Sequence, residues 1–215
     1  MFEKIRIWQE QTYLSIAKKS NLIIPHFKYV YILILFVSLG LGTYFELQVG
    51  NYFQFFYDLG KHFGQTAIIL LGIVVLPGIL GRFQVEIKIT RIITIFRRQL
   101  GIIVFLLAFS NYHLVRGVPR LLGYFPTLPP WPIFEYFGFV SLVLLFLMFI
   151  TSNNTSKKKL GHLWKKLHRI VYVILWLLVF HTGLQEISLW TIWIFIFASV
   201  EVLSWIYYFL RKSRT

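Results

Sequence analysis

With 215 residues, 57% hydrophobic and only 14% charged, and a mean hydropathy of +0.68, the chain is too apolar for a water-soluble domain of its size. It has no cysteine, which excludes disulfides, thiolate metal sites and iron–sulfur clusters. The net charge of +14 would suit nucleic acid in a soluble protein, but here the cations sit in short loops between apolar runs, which argues against nucleic acid and for orientation in a lipid bilayer.

Residues 1–28 mix Phe2, Ile5, Ile7, Trp8, Leu14 and Ile16 with Lys4, Arg6, Lys18 and Lys19, the pattern of a helix lying in the headgroup layer or of a frayed tail. A transmembrane helix needs about 17–25 mostly apolar residues. Six such runs follow, near 29–45, 65–81, 100–115, 133–150, 170–183 and 188–210, and the third and fifth are short enough to extend into their flanking loops. Pro77 predicts a kink in the second span. The segment 117–132, with Pro119, Pro126, Pro129, Pro130 and Pro132, reads as an irregular cap.

The expectation is therefore an all-α, polytopic membrane bundle of about six transmembrane helices, with an N-terminal segment 1–28, a membrane domain 29–210 and a tail 211–215. Five Lys and Arg precede the first span, five separate the second from the third, six separate the fourth from the fifth, and three follow the sixth. Only Lys61, Arg116 and Arg120 remain for the other side, so the positive-inside rule puts both termini in the cytoplasm of a multi-pass protein of the cell membrane. No cleavable signal pattern and no internal repeat is found. Asn153 and Asn154 open N-x-S/T triplets, but on the side assigned to the cytoplasm.

Six histidines without cysteine make imidazole the ligand to consider. Ionisable groups at membrane depth are costly unless paired or coordinated, so His113 in the third span and His181 in the fifth need partners. Each either hydrogen-bonds to a neighbouring helix or ligates a metal centre. The two lie at similar depth, about 15 and 12 residues past the basic boundary, and two imidazoles from facing helices are a common way to hold a low-spin haem iron. His168 lies 13 residues before His181, about 20 Å of helix rise, and is placed to serve a second haem. On a straight helix the two side chains would diverge by about 140°, which a π-bulge, or a position before the first regular turn, would repair. His26, His62 and His162 are interfacial or loop residues first and weaker ligand candidates second. Glu201, inside the sixth span, either serves a proton path or quinone head group or pairs with a donor in the bundle. No phosphate-binding glycine pattern, hydrolase triad or zinc motif is found.

The stretch 151–181, TSNNTSKKKLGHLWKKLHRIVYVILWLLVFH, resembles the core of the ferric-reductase-like transmembrane domain, and most specifically the MsrQ (YedZ) haem-binding subunits. The matching positions are Thr151, Ser152, Leu160, Gly161, Trp164, Leu167, His168 and His181. KHFGQTAIILLGIVVLPGILGR is similar to the family's second helix, and FRRQLGIIVFLLAFSNYH to its third. The resemblance covers about 120 residues, from His62 to His181.

This resemblance implies one or two haem b groups, His168 and His181 as ligands, and a membrane oxidoreductase subunit that carries electrons outward. The donor it implies is a separate cytoplasmic flavin reductase or quinol, with FMN or quinone as possible further cofactors, and the acceptor an extracytoplasmic protein, in MsrQ a methionine sulfoxide reductase. At the family's third-helix ligand position this chain has Asn111, so either His113 takes over that role through a local distortion or one haem site has been lost. The alternative readings are a ferric or other metal reductase of the same fold and a haem-free transporter or assembly protein.

Overall fold

A computed structural model describes residues 2–48, 53–85 and 87–213, with side chains described from Glu10 onward. It is 87% helical, with no strand among the described residues. Among the described residues, six stretches are long and apolar enough to cross a membrane: Glu10–Leu47, Phe53–Arg82, Lys88–Leu121, Ile133–Ile150, His162–Gln185 and Leu189–Lys212. The chain is thus an all-α polytopic membrane bundle. Helix is what apolar runs of this length must form, because in hydrocarbon each backbone N–H and C=O has to pair within its own segment.

The first span is composite. Helix Phe2–Ile23 passes through a 3-10 turn at Ile24–His26, where Pro25 sits, into Phe27–Leu35, a π-helical stretch Phe36–Gly42 and Thr43–Leu47. The N-terminal helix therefore continues into the span and packs against the third. The apolar and basic side chains expected to face headgroups between Phe2 and Trp8 lie outside the described residues. A 38-residue rod rises about 57 Å, more than a 30 Å hydrocarbon core, so part of it extends beyond the core.

The second span starts well before residue 65 and runs unbroken through Pro77 as one helix, Phe53–Arg82. The third, expected over 100–115, reaches from Lys88 to Leu121 by way of a π-helical segment at His113–Gly117, absorbing the start of the proline-rich loop. The fourth is Ile133–Ile150, as the hydropathy indicates. The fifth gains a preceding turn of helix, His162–His168, joined to Val171–Gln185 by a turn at residues 169–170. The sixth opens on a capping box in which the Ser188 and Thr191 side chains and backbone amides pair reciprocally, and runs to Lys212. Of the expected tail, residues 214 and 215 lie outside the described residues.

Packing closes the last five spans into a ring. The second packs on the third and sixth, the fifth on the sixth and fourth, and the fourth on the third. The first span lies outside this ring against the third. Along that seam Ser110 Oγ donates to Ser38 Oγ at 2.9 Å, both fully buried, and a Cβ at Gly42 would fall 2.6 Å from Leu114 Cδ2. Small residues and a side-chain hydrogen bond are the usual means of bringing membrane helices together where burial of apolar surface supplies no drive.

One end of the bundle gathers the basic loops. There Arg82 Nε donates to Ser204 Oγ at 2.7 Å, Nη1 to Tyr172 Oη at 3.1 Å and Nη2 to Glu201 Oε1 at 3.3 Å, while its guanidinium lies over the Tyr172 and Trp205 rings. Glu201 is therefore the buried counter-ion of Arg82, the second of the two roles its position in the sixth span allowed.

Candidate functional site

Inside the ring are two cavities, one towards each end, with Leu71, Val104 and Leu145 lining both. They thus abut across a single layer of apolar side chains. Each has one histidine in its wall, and both histidines come from the fifth span.

The cavity away from the basic end, about 550 Å³, is walled by His181. His181 Nδ1 lies 2.8 Å from the carbonyl oxygen of Phe134, and since a carbonyl can only accept, the proton sits on Nδ1 and leaves Nε2 as the free nitrogen of the ring. Such an orienting hydrogen bond on the second nitrogen is typical of imidazoles that ligate metals. The ring lies close over the fourth span at Gly138, where a Cβ would come within 2.6 Å of Cε1 and Nδ1, so no larger residue fits without displacing it.

To the wall of the same cavity the third span contributes Asn111, not a histidine. Its Nδ2 donates to the Gly60 carbonyl at 2.9 Å, and a Cβ at Gly64 would lie 2.8 Å from the same amide. His113, expected to meet His181 here, does not line the cavity. Its Nε2 is 2.7 Å from Thr43 Oγ1 on the first span, on the outside of the ring, and its ring stacks on Phe109. The physical reason is helical register: two residues turn a helix by about 200°, and the π segment begins at His113, too late to swing it back. Of the two readings open for His113, the hydrogen bond to a neighbouring helix is the one its geometry matches.

The mouth of the same cavity holds a polar cluster that inspection of single residues did not single out. Arg116 Nε is 2.6 Å from Glu135 Oε1, and Arg120 Nη2 bonds the other carboxylate oxygen. Arg120 also donates to the Pro126 carbonyl and to Tyr112 Oη, and its guanidinium lies over Trp131. The available sequence signal was the i, i+4 spacing of the two arginines, which places both on one helix face. Their acidic partner, on another helix, could not be read from that spacing.

The second cavity, about 600 Å³, opens at the basic end and is walled by His168. The turn at residues 169–170 ends the helix carrying His168 before the one carrying His181 begins, so the 140° divergence expected on a straight helix does not apply. The motif around His168 has a structural logic. Trp164 stacks on the imidazole at 4.0 Å between ring centroids and donates its indole N–H to the Thr151 carbonyl at 3.0 Å, and Thr151 Oγ1 lies 3.4 Å from His168 Nε2. Gly161, at φ 52° and ψ −119°, makes the corner between helices Asn154–Leu160 and His162–His168, a conformation essentially confined to glycine.

Among the described residues, five cations line this cavity, namely Arg97, Arg98, Lys157, Lys165 and Arg169, and no carboxylate does. The three weaker candidates line neither cavity. His26 bonds the Leu22 carbonyl, His62 bonds Gln65, and both, like His162, are exposed. No cluster of three or more metal-ligating side chains occurs among the described residues.

Fold and site together define a helical membrane protein built around two abutting, histidine-walled cavities at opposite ends of one bundle. Among curated proteins the chain is similar to the protein-methionine-sulfoxide reductase haem-binding subunit MsrQ of Brucella anthropi, 37% identical over 81 residues, and to MsrQ of Brucella ovis and Brucella canis, each 36% identical over 81 residues. The matched stretch spans 36% of this chain and 36% of each relative, so about a third of the length of the curated relatives is covered. No protein-family model matches the chain, and no solved structure matches it.

Proposed function

We propose that the chain is a haem b-binding, electron-transferring membrane subunit of an oxidoreductase, similar to MsrQ. The observation that carries this reading is the pair of cavities with one fifth-span histidine each, stacked so that only a layer of apolar side chains separates them. Their residues fit the group. Both volumes fall within the roughly 300–1,000 Å³ of cofactor sites, and His181 has its second nitrogen tied to a carbonyl, as imidazoles that ligate metals usually do. His181 would hold haem at one end and His168 at the other. The cations around His168 would be available to the propionates of a bound haem, and Leu71, Val104 and Leu145 would keep the intervening layer dry. A bound haem contributes one-electron chemistry, and the chain contributes ligand, orientation and exclusion of water.

Lys and Arg placement supports an orientation with both termini and the His168 cavity at the cytoplasmic face of the cell membrane. On that orientation electrons enter from a cytoplasmic flavin reductase or quinol and leave near His181 to an extracytoplasmic acceptor. Likeness to MsrQ supports a methionine sulfoxide reductase in that role. The protein is purified from haem-replete cells and its visible spectrum recorded before and after dithionite. Reduced haem bands that diminish in both His181→Ala and His168→Ala are expected, and a colourless preparation refutes the reading in favour of a haem-free transporter or assembly protein.

A further inference from the structure

Building on the haem reading, we infer that the His181 cavity gives a haem iron only one strong protein ligand and leaves the facing position open to a small exogenous molecule, with Asn111 as its hydrogen-bonding neighbour. Haem iron is held in proteins by imidazole, thiolate, thioether or phenolate groups. Among the described lining residues His181 supplies the only imidazole, and thiolate is excluded by composition. Met148, the methionine among the described residues, does not line this cavity. Of the two phenols in its wall, that of Tyr112 accepts from Arg120, and Tyr57 stacks on Phe53 beneath the Lys61 ammonium. A carboxamide is not among these ligand types, so Asn111 faces the cavity without closing it.

The position of Asn111 is fixed. One N–H is tied to the Gly60 carbonyl and the amide is packed against Gly64, so it cannot retreat from the wall. An amide has two N–H donors and a carbonyl acceptor, so a second donor and the oxygen remain for a molecule in the cavity. His113, the only nearby imidazole on the third span, is held by Thr43 outside the ring and cannot substitute. Ala108, Ile68 and Leu142 make part of this cavity's wall apolar, a surface that a small uncharged molecule can share with the Asn111 amide. An electron carrier with two imidazoles would have no such position, so this chain is set apart by chemistry and not only by sequence.

Carbon monoxide is the probe. The purified full-length protein is reduced with dithionite and titrated with CO in the wild type, in His168→Ala, and in His168→Ala combined with Asn111→His or with Asn111→Met. The expected result is a CO-induced Soret shift in wild type that persists in His168→Ala and is lost when either Asn111 variant, whose imidazole or thioether would occupy the open position, is added to His168→Ala. Two such variants guard against one failing to fold, and haem content per protein reports folding. Haem-replete wild-type protein with no CO response, or a response of His168→Ala unchanged by both added Asn111 substitutions, overturns the inference and leaves the haem reading standing. Absence of haem overturns the parent reading and this inference with it.

Discussion

Removing Arg82 tests whether Glu201 is a structural counter-ion. The two side chains are 12% and 6% exposed, and their closest atoms are 3.3 Å apart. Arg82→Ala would leave Glu201 buried without its cation and strip donors from Ser204 and Tyr172 as well. Breaking a buried ion pair by deleting one partner costs about 3–5 kcal/mol, because the remaining charge cannot be rehydrated. At about 2–4 °C per kcal/mol for a chain of this size, the melting temperature of the detergent-solubilised protein should fall by about 6–20 °C. Glu201→Gln keeps the shape and one acceptor, and should cost clearly less. The double variant Arg82→Met with Glu201→Leu, of similar volume and without charge, should recover most of the loss. If Arg82→Ala melts within a degree or two of wild type, or the double variant is as unstable as Arg82→Ala, the pair does not hold the basic end together as described.

Gly138→Val should displace the His181 ring, which lies 2.6 Å from the site of a Cβ, and abolish haem binding at that end while the His168 site keeps its absorbance, measured as haem per protein. His113→Ala should leave the visible spectrum unchanged and lower stability by about 1 kcal/mol through loss of the Thr43 hydrogen bond, read as a melting shift; a lost haem band would return His113 to the ligand set. Asn153→Ala removes the acceptor for Ser156 N–H at the start of helix Asn154–Leu160 and should cost about 0.5–2 kcal/mol, read in the same assay. Gly161→Ala should be worse tolerated than Gly101→Ala, since only Gly161 has a positive φ and a Cβ at either meets nothing within 4 Å; comparable expression and melting of the two would refute the backbone argument.

The six spans were legible in the sequence because hydropathy is a property of the segment itself: a run of apolar residues in lipid has no option but helix. Span ends were not, since polar residues such as His162 and Arg120 join helices once their partners arrive from other segments. Depth was also legible, because rise per residue is fixed, and it placed His168 and His181 towards opposite ends of the bundle. Facing was not. Whether a side chain looks into the ring or out of it depends on register, on where a turn such as 169–170 resets it, and on which helix comes alongside. Only the packed bundle turned His113 to Thr43, brought Asn111 and His181 to the wall of one cavity, and joined Glu201 to Arg82 across 119 residues of chain.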